Sequence, residues 1–374
     1  MARRAWNKGA ALAVLLVAAC APQPTSPPAP VGAPPPPGLR LEAINFSALP
    51  DWRTEDHGGA VQAVKRSCPV LETKAPAPAV ARLSGGVADW RPICAAAGRL
   101  APGPAAARRF FEDWFRPFAA TDGGRADLIT GYYEPELLGS RTRGSAYQVP
   151  LYAPPPDLAS ARQPYFSRDE IERGALAGRN LEIVWLADPV DAFFLHVQGS
   201  GRVRLPDGRV LRVGFAGSNN HAYVAIGREL VRDGQIPEGE ATAPRIRAWL
   251  AANPDRRAEM LARNPRFIFF RITEGDGPVG AQGVALTPGR SLAVDPTHLP
   301  LGIPLWLDAV DPLNRMPMRR LVVAQDTGNA IRGPVRADLF LGAGQDAETR
   351  AGVMRDRGRL YLLVPKTAPI AAGS

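Results

Sequence analysis

Residues 321–341 read Leu-Val-Val-Ala-Gln-Asp-Thr-Gly-Asn-Ala-Ile-Arg-Gly-Pro-Val-Arg-Ala-Asp-Leu-Phe-Leu. Two apolar runs in this stretch, 321–325 and 336–341, read as short strands separated by a turn rich in Gly and Pro. Runs of the same kind recur at 267–272, 283–286, 291–294, 304–307 and 360–364, broken by Gly, Pro or Asp rather than by helices. Many short strands in succession predict a small β-barrel. The 39 prolines and 37 glycines among 374 residues agree, because helix interiors tolerate neither, and they exclude an all-helical bundle.

Upstream the periodicity changes. Phe110, Phe111, Trp114, Phe115 and Phe118 recur at helical spacing and predict an amphipathic helix over 105–118 with its aromatics in the core. Ser167 and Glu170 have the spacing of a capping box ahead of Ile171 and Leu176. Another helix is expected from Asn219 or Asn220 through Tyr223, Ile226, Leu230 and Val231 to Gly234, and two more around Trp249 and Met260. Residues 192–197 and 210–213 flank Pro206-Asp207-Gly208 and read as the arms of a hairpin or meander. The fold class is therefore mainly β with a few peripheral helices.

The chain starts with Arg3, Arg4 and Lys8, followed by an apolar run over 10–19 that is too short to span a bilayer of about 30 Å. This is an export signal. It ends in Val17-Ala18-Ala19-Cys20, which resembles a bacterial lipobox with Cys20 lipidated as the first mature residue; a plain signal peptide cut at an Ala-x-Ala type site is the alternative. Residues 22–38 hold nine prolines and no charge, a polyproline tether reaching roughly 50 Å at about 3.1 Å per residue. By resemblance to lipoprotein sorting rules, Ala21 after the cysteine favours the outer membrane, facing the periplasm of a Gram-negative cell. Cys68 and Cys94 either close a loop worth roughly 3 kcal/mol in an oxidising periplasm or stay as two buried thiols.

Apolar residues make up 45% and charged residues 22%, which excludes a disordered chain and a multi-span membrane protein. The net charge of +9 falls to +6 once residues 1–19 are removed, and basic and acidic residues interleave, so no nucleic-acid stripe is present. His57, His196, His221 and His298 lack zinc spacing with the cysteines.

Three aspartates close or occupy the C-terminal strands: Asp295 in Ala-Val-Asp-Pro-Thr, Asp326 before Thr327-Gly328, and Asp338 between Arg336-Ala337 and Leu339-Phe340. Taken singly, each has a structural reading as an Asx turn, a turn after a buried strand, or a partner of Arg332 or Arg336. Their combination with Pro300-Leu301-Gly302, Ile331-Arg332-Gly333, Gly342 and Gly344 resembles the three-aspartate (3D) domain of the membrane-bound lytic murein transglycosylase A family. Thr130-Gly-Tyr-Tyr-Glu-Pro135, Phe193-Phe-Leu-His-Val-Gln-Gly-Ser-Gly201 and Gly217-Ser-Asn-Asn-His-Ala-Tyr223 are similar to the same family's motifs, in unbroken order over roughly 100–365. Asn329 and Asn220 stand where that family usually has glycines, and asparagine tolerates positive φ.

The resemblance implies a double-psi β-barrel domain over 40–133 plus 273–366, interrupted by a β-rich insert over 134–272, with 1–19 as signal, 20–39 as lipidated tether and 367–374 as tail. It implies cleavage of the β-1,4 bond between N-acetylmuramic acid and N-acetylglucosamine without water, leaving a 1,6-anhydro end. Asp338 is expected as the single acid/base, Asp326 as its neighbour and hydrogen-bond organiser, and Asp295 as mainly structural. Tyr132 and Tyr133 are expected to offer ring faces to sugars, with Gln198, Ser200, Thr327 and Gly328 binding substrate. No metal or organic cofactor is expected, and a monomer acting on glycan strands, with cell-wall synthesis proteins as candidate partners. The alternatives are a two-carboxylate hydrolase with Asp326 as base, a non-catalytic murein-binding lipoprotein, and Mg²⁺ or Ca²⁺ held by the three aspartates.

Overall fold

A computed structural model describes residues 38–122, 128–275 and 277–369. The signal segment, Cys20 and the Pro-rich stretch up to residue 37 lie outside the described residues. A nine-stranded mixed sheet has the order Arg40–Ala43, Phe115–Thr121, Arg359–Pro365, Pro304–Val310, Pro317–Asp326, Ser291–Val294, Ala337–Ala343, Leu128–Glu134, Arg355–Arg357. A six-stranded sheet, in the order Val149–Tyr152, Glu182–Leu186, Glu136–Ser140, Ser200–Arg204, Val210–Ser218, Ile268–Thr273, is formed by the chain between Glu134 and Ser291.

Burial on both faces explains the continuous apolar runs of the larger sheet. Val322 and Ala324 point into one core cluster, whereas Leu321 and Val323 point into the other; Leu305 and Leu307 alternate with Trp306 in the same way. Eight of the nine strands contribute side chains to the first cluster, so the sheet curls around it. The hydrogen-bonded order nevertheless has two ends among the described residues. The second cluster is covered by the helices Gly58–Leu71, Val87–Gly98 and Pro104–Trp114. A disulfide between Cys68 and Cys94 ties the first two of these helices together.

Several local expectations are corrected. Residues 192–197 are not a strand but part of the helix Pro189–Gln198. Asp188 caps its start by accepting from Val190 N (2.6 Å) and Asp191 N (3.1 Å), and Gly199 ends it in the left-handed region at φ 80°. The hairpin exists, but its first arm is Ser200–Arg204, paired with Val210–Ser218 through Arg204↔Val210. The helix expected over 105–118 stops at Trp114, and Phe115 and Phe118 belong to a strand. Pro117 lacks a donor and disfavours helical backbone at Arg116, which sets the break. The helix expected from Asn219 begins only at Ile226, because Asn220 is left-handed at φ 59° and Asn219 is fully buried as a clamp on Phe166, Pro265 and Phe267. Residues 283–286 contribute only an isolated bridge, Val279↔Ala285. Helices Arg168–Glu170, Ala243–Ala252 and Pro254–Ala262 lie where their signals stand, the first with its capping box formed.

Candidate active site

Two of the three aspartates meet across one short strand. In the pairing of Ser291–Val294 with its neighbours, Ala293 stands opposite Asp326 on the parallel side and opposite Asp338 on the antiparallel side. The row continues to Thr130, which is in register with Asp338 in the parallel pair beyond. Ser291–Val294 is entirely buried and irregular between Leu292 and Ala293, so the row is fixed by core packing rather than by a loop.

The two carboxyls have different surroundings. Asp338 is half-buried, and its Oδ1 accepts from the Thr130 hydroxyl at 2.8 Å. Thr130 Oγ1 in turn accepts from Arg336 Nη2 at 2.9 Å, which orients the threonine proton towards Asp338. Burial pushes the Asp338 carboxyl up to about 6; the Arg336 charge and the Thr130 hydrogen bond oppose the shift, and the Asp326 charge adds to it. Asp326 accepts from the Tyr132 hydroxyl on Oδ2 (2.8 Å) and from Ala281 N and Thr327 N on Oδ1 (2.9 Å each). Burial also raises its pKa, and these three donors act against the rise. Tyr132 itself is held protonated by burial and by the Asp326 charge, as a donor must be. Its ring lies 5.3 Å from that of Phe340.

Asp295 is not part of this pair. It is 4% exposed, accepts from Thr297 N (3.1 Å), Thr297 Oγ1 (2.7 Å) and Gly333 N (2.9 Å), and so pins the far end of the loop that follows Asp326. Burial would raise its pKa, but the hydrogen bonds from Gly333 and Thr297 hold it below the usual carboxylate range. No group of three or more His, Cys, Asp or Glu side chains converges as metal ligands do among the described residues.

The remaining expected residues divide. Tyr133 is corrected: it is buried, and its hydroxyl donates to Glu348 Oε1 at 2.8 Å, so no ring face is open to a ligand. Gln198 Oε1 accepts from Tyr133 N at 3.2 Å and thereby links the helix of the smaller sheet to the strand that carries Thr130 and Tyr132. Buried Glu134, paired with Arg202 at 3.0 Å, makes a second such link. Ser200 is half-buried at the start of its strand. Thr327 supplies its backbone N–H to Asp326, and a Cβ at Gly328 would meet Ile331 Cγ1 at 2.8 Å. Asn329 is not left-handed; its side-chain amide meets the Arg266 guanidinium and, with the oxygen turned towards it, accepts from Nη2 (2.5 Å) and Nε (2.9 Å). Thr130 and Arg336, as the pair that sets the Asp338 proton, and the Ala281 N–H were not legible as such, because only the strand register brings them to the aspartates.

Residues 128–271 match the family description "MltA specific insert domain" and residues 290–364 match "3D domain". The chain is 35% identical over 270 residues to the membrane-bound lytic murein transglycosylase A of Escherichia coli K12, covering 70% of this chain and 71% of that one. It superposes on the crystal structure of a membrane-bound lytic murein transglycosylase from Agrobacterium tumefaciens with a TM-score of 0.79 at 32% identity, covering 88% of this chain and 98% of that one. The Escherichia coli MltA structure with bound chitohexaose gives a TM-score of 0.65 at 26% identity, covering 87% of this chain and 91% of that one.

Proposed function

The chain belongs to the membrane-bound lytic murein transglycosylase A family, a peptidoglycan-cleaving lyase family, and we propose that Asp338 is the single acid and base of its reaction. The observation that carries this reading is the asymmetry of the pair. Asp338 is poised at about 6 with Thr130 on one oxygen as its one hydrogen-bond donor among the described residues, while Asp326 is engaged by three.

In the first half-reaction the Asp338 proton moves to the bridging oxygen between N-acetylmuramic acid and N-acetylglucosamine, and the bond from that oxygen to muramic C1 breaks. In the second, the Asp338 carboxylate takes the proton of the muramic C6 hydroxyl, and O6 bonds to C1 to form the 1,6-anhydro ring. Asp338 returns to its protonated state, and no water is consumed. An attached nucleophile enjoys a very high effective concentration, which is why one carboxyl suffices where hydrolases need two. Asp326 holds Tyr132 and contributes the charge that keeps Asp338 protonated; its engaged oxygens make it a poor base for water.

The reading extends to a double-psi barrel over 40–133 plus 273–366 and an insert over 134–272, supported by the two sheets and by the curl of the larger one around a single core. Glycan strands are the substrate, with Tyr132, Ser200, Thr327 and Gly328 lining the path. Cys20 carries the lipid, residues 20–39 form the tether, and the enzyme works as a monomer on the periplasmic side of the outer membrane, where cell-wall synthesis proteins are its candidate partners. The test is mass spectrometry of murein digested by the purified protein. 1,6-Anhydromuropeptides are expected from the parent protein and none from Asp338→Asn.

A further inference from the structure

Arg266 lies just before the strand Ile268–Thr273 of the smaller sheet and is half-buried. Its position is stiff: Asn264 Oδ1 accepts from Arg266 N at 3.3 Å and from Val224 N at 3.1 Å, and Arg266 Nη1 donates to His221 O at 3.1 Å. Its Nη2 and Nε meet the Asn329 side-chain amide, whose oxygen, turned towards them, accepts from both. Every one of these acceptors is neutral, and among the described residues no carboxylate pairs with it. A second cation, Arg332, stands close enough to disfavour the Arg266 charge beyond the effect of burial. Arg332 is 61% exposed, and its nearest carboxylate, Asp295 at 3.8 Å, is already engaged by Thr297 and Gly333.

Arg266 meets Asn329, and Arg332 follows three residues later in the same loop, so two guanidinium groups of like charge, one of them half-buried on neutral partners, flank the loop that follows Asp326. Asn329 is three residues beyond Asp326, at most about 11 Å of extended chain. Such a pair is stabilised by an anion, and guanidinium groups match carboxylate geometry best. We propose that Arg266 and Arg332 form a carboxylate subsite that takes the acidic arm of the muramic residue beside the cleaved bond. This rests on the murein reading above. The carboxylate is that of the lactyl ether in peptide-stripped strands, or of the stem peptide in peptide-bearing ones. Neutral amino-sugar polymers offer neither.

The experiment measures binding in the non-cleaving Asp338→Asn protein to chitohexaose, to peptide-stripped murein glycan and to peptide-bearing glycan of equal length. Both acidic glycans are expected to bind about tenfold tighter than chitohexaose if the lactyl group is the ligand, and only the peptide-bearing one if the peptide is. Arg266→Gln and, separately, the exposed Arg332→Gln should each remove most of that advantage and leave chitohexaose affinity unchanged, whereas Arg266→Lys should keep part of it. The advantage should also shrink as salt is raised from low to physiological ionic strength. Equal affinity for all three glycans, or loss of chitohexaose binding in step with the acidic glycans, overturns the subsite while leaving the transglycosylase reading intact. Failure to bind any of the three overturns both.

Discussion

Asp326 and Asp338 reach the same residue, Ala293, from the two strands that flank it. Two strand spacings separate their Cα atoms by about 10 Å, and the Tyr132 hydroxyl on Asp326 and the Thr130 hydroxyl on Asp338 belong to a single third strand. The pair is therefore built into the centre of the larger sheet. A change at either carboxyl is read out by the other without any loop having to move.

Thr130→Val removes the hydroxyl that favours the ionised form of Asp338 and the acceptor of Arg336 Nη2, while Arg336 Nη1 keeps Leu128 O and Ala337 O. The Asp338 carboxyl then holds its proton to higher pH. The alkaline limb of the pH–rate profile should move up by about one pH unit, the scale of a lost hydrogen bond to a charged group. Thr130→Ser should restore the parent profile. An unmoved limb in Thr130→Val contradicts the assigned relay.

Asp326→Asn acts in the opposite direction. It removes the charge that helps to raise Asp338, so the alkaline limb should shift to lower pH. An amide also cannot accept as a carboxylate does from Tyr132, Ala281 and Thr327, and urea denaturation should show a loss of about 1–3 kcal/mol. A variant with parent stability and an unshifted profile would remove Asp326 from the site.

Asp338 should cost the fold stability when ionised. Its carboxyl is raised from 3.8 to about 6 in the folded chain, so the folded state binds the proton more tightly between those values and stability falls as pH rises through that window. Asp338→Asn should therefore unfold at a higher temperature than the parent at pH 7, by the equivalent of about 3 kcal/mol, and at nearly the same temperature at pH 4. Thermal unfolding at the two pH values checks both halves of this statement.

The Cys68–Cys94 bond closes a loop with a sequence separation of 26. Reduction, or Cys68→Ser with Cys94→Ser, should lower stability to urea by about 3 kcal/mol through the freed unfolded chain. Glycan cleavage at low temperature should persist, because the hydrogen-bond donors to Asp326 and Asp338, on Tyr132, Ala281, Thr327 and Thr130, lie outside the two bonded helices.

The chemistry was more legible in the chain than the local structure around it. Singly, each aspartate had a structural reading, and only their ordered combination of motifs, similar to a 3D domain, pointed to chemistry; the strands that carry them recur where their runs stand. Residues 192–197 misled because a doubly buried helix is as apolar as a strand, and the cap at Asp188 and the left-handed Gly199 outrank that pattern. Phe115 and Phe118 kept helical spacing by coincidence while Pro117 broke the helix. Tyr133, adjacent to Tyr132 in one strand, points to the opposite face and is spent on Glu348, a consequence of the two-residue period. The hydrogen bond of Thr130 to Asp338, the contact of Arg336 with Thr130 and the placing of Arg266 on Asn329 had no local signature, since they depend on strand register and on contacts across 60 residues or more.

The central claim is that the C6 hydroxyl of the sugar, and not water, closes the reaction under the control of Asp338. Digestion of murein by the purified protein in water enriched in ¹⁸O, read by mass spectrometry, tests it directly. The account predicts 1,6-anhydro products without label, and no products from Asp338→Asn; reducing ends carrying ¹⁸O would contradict it.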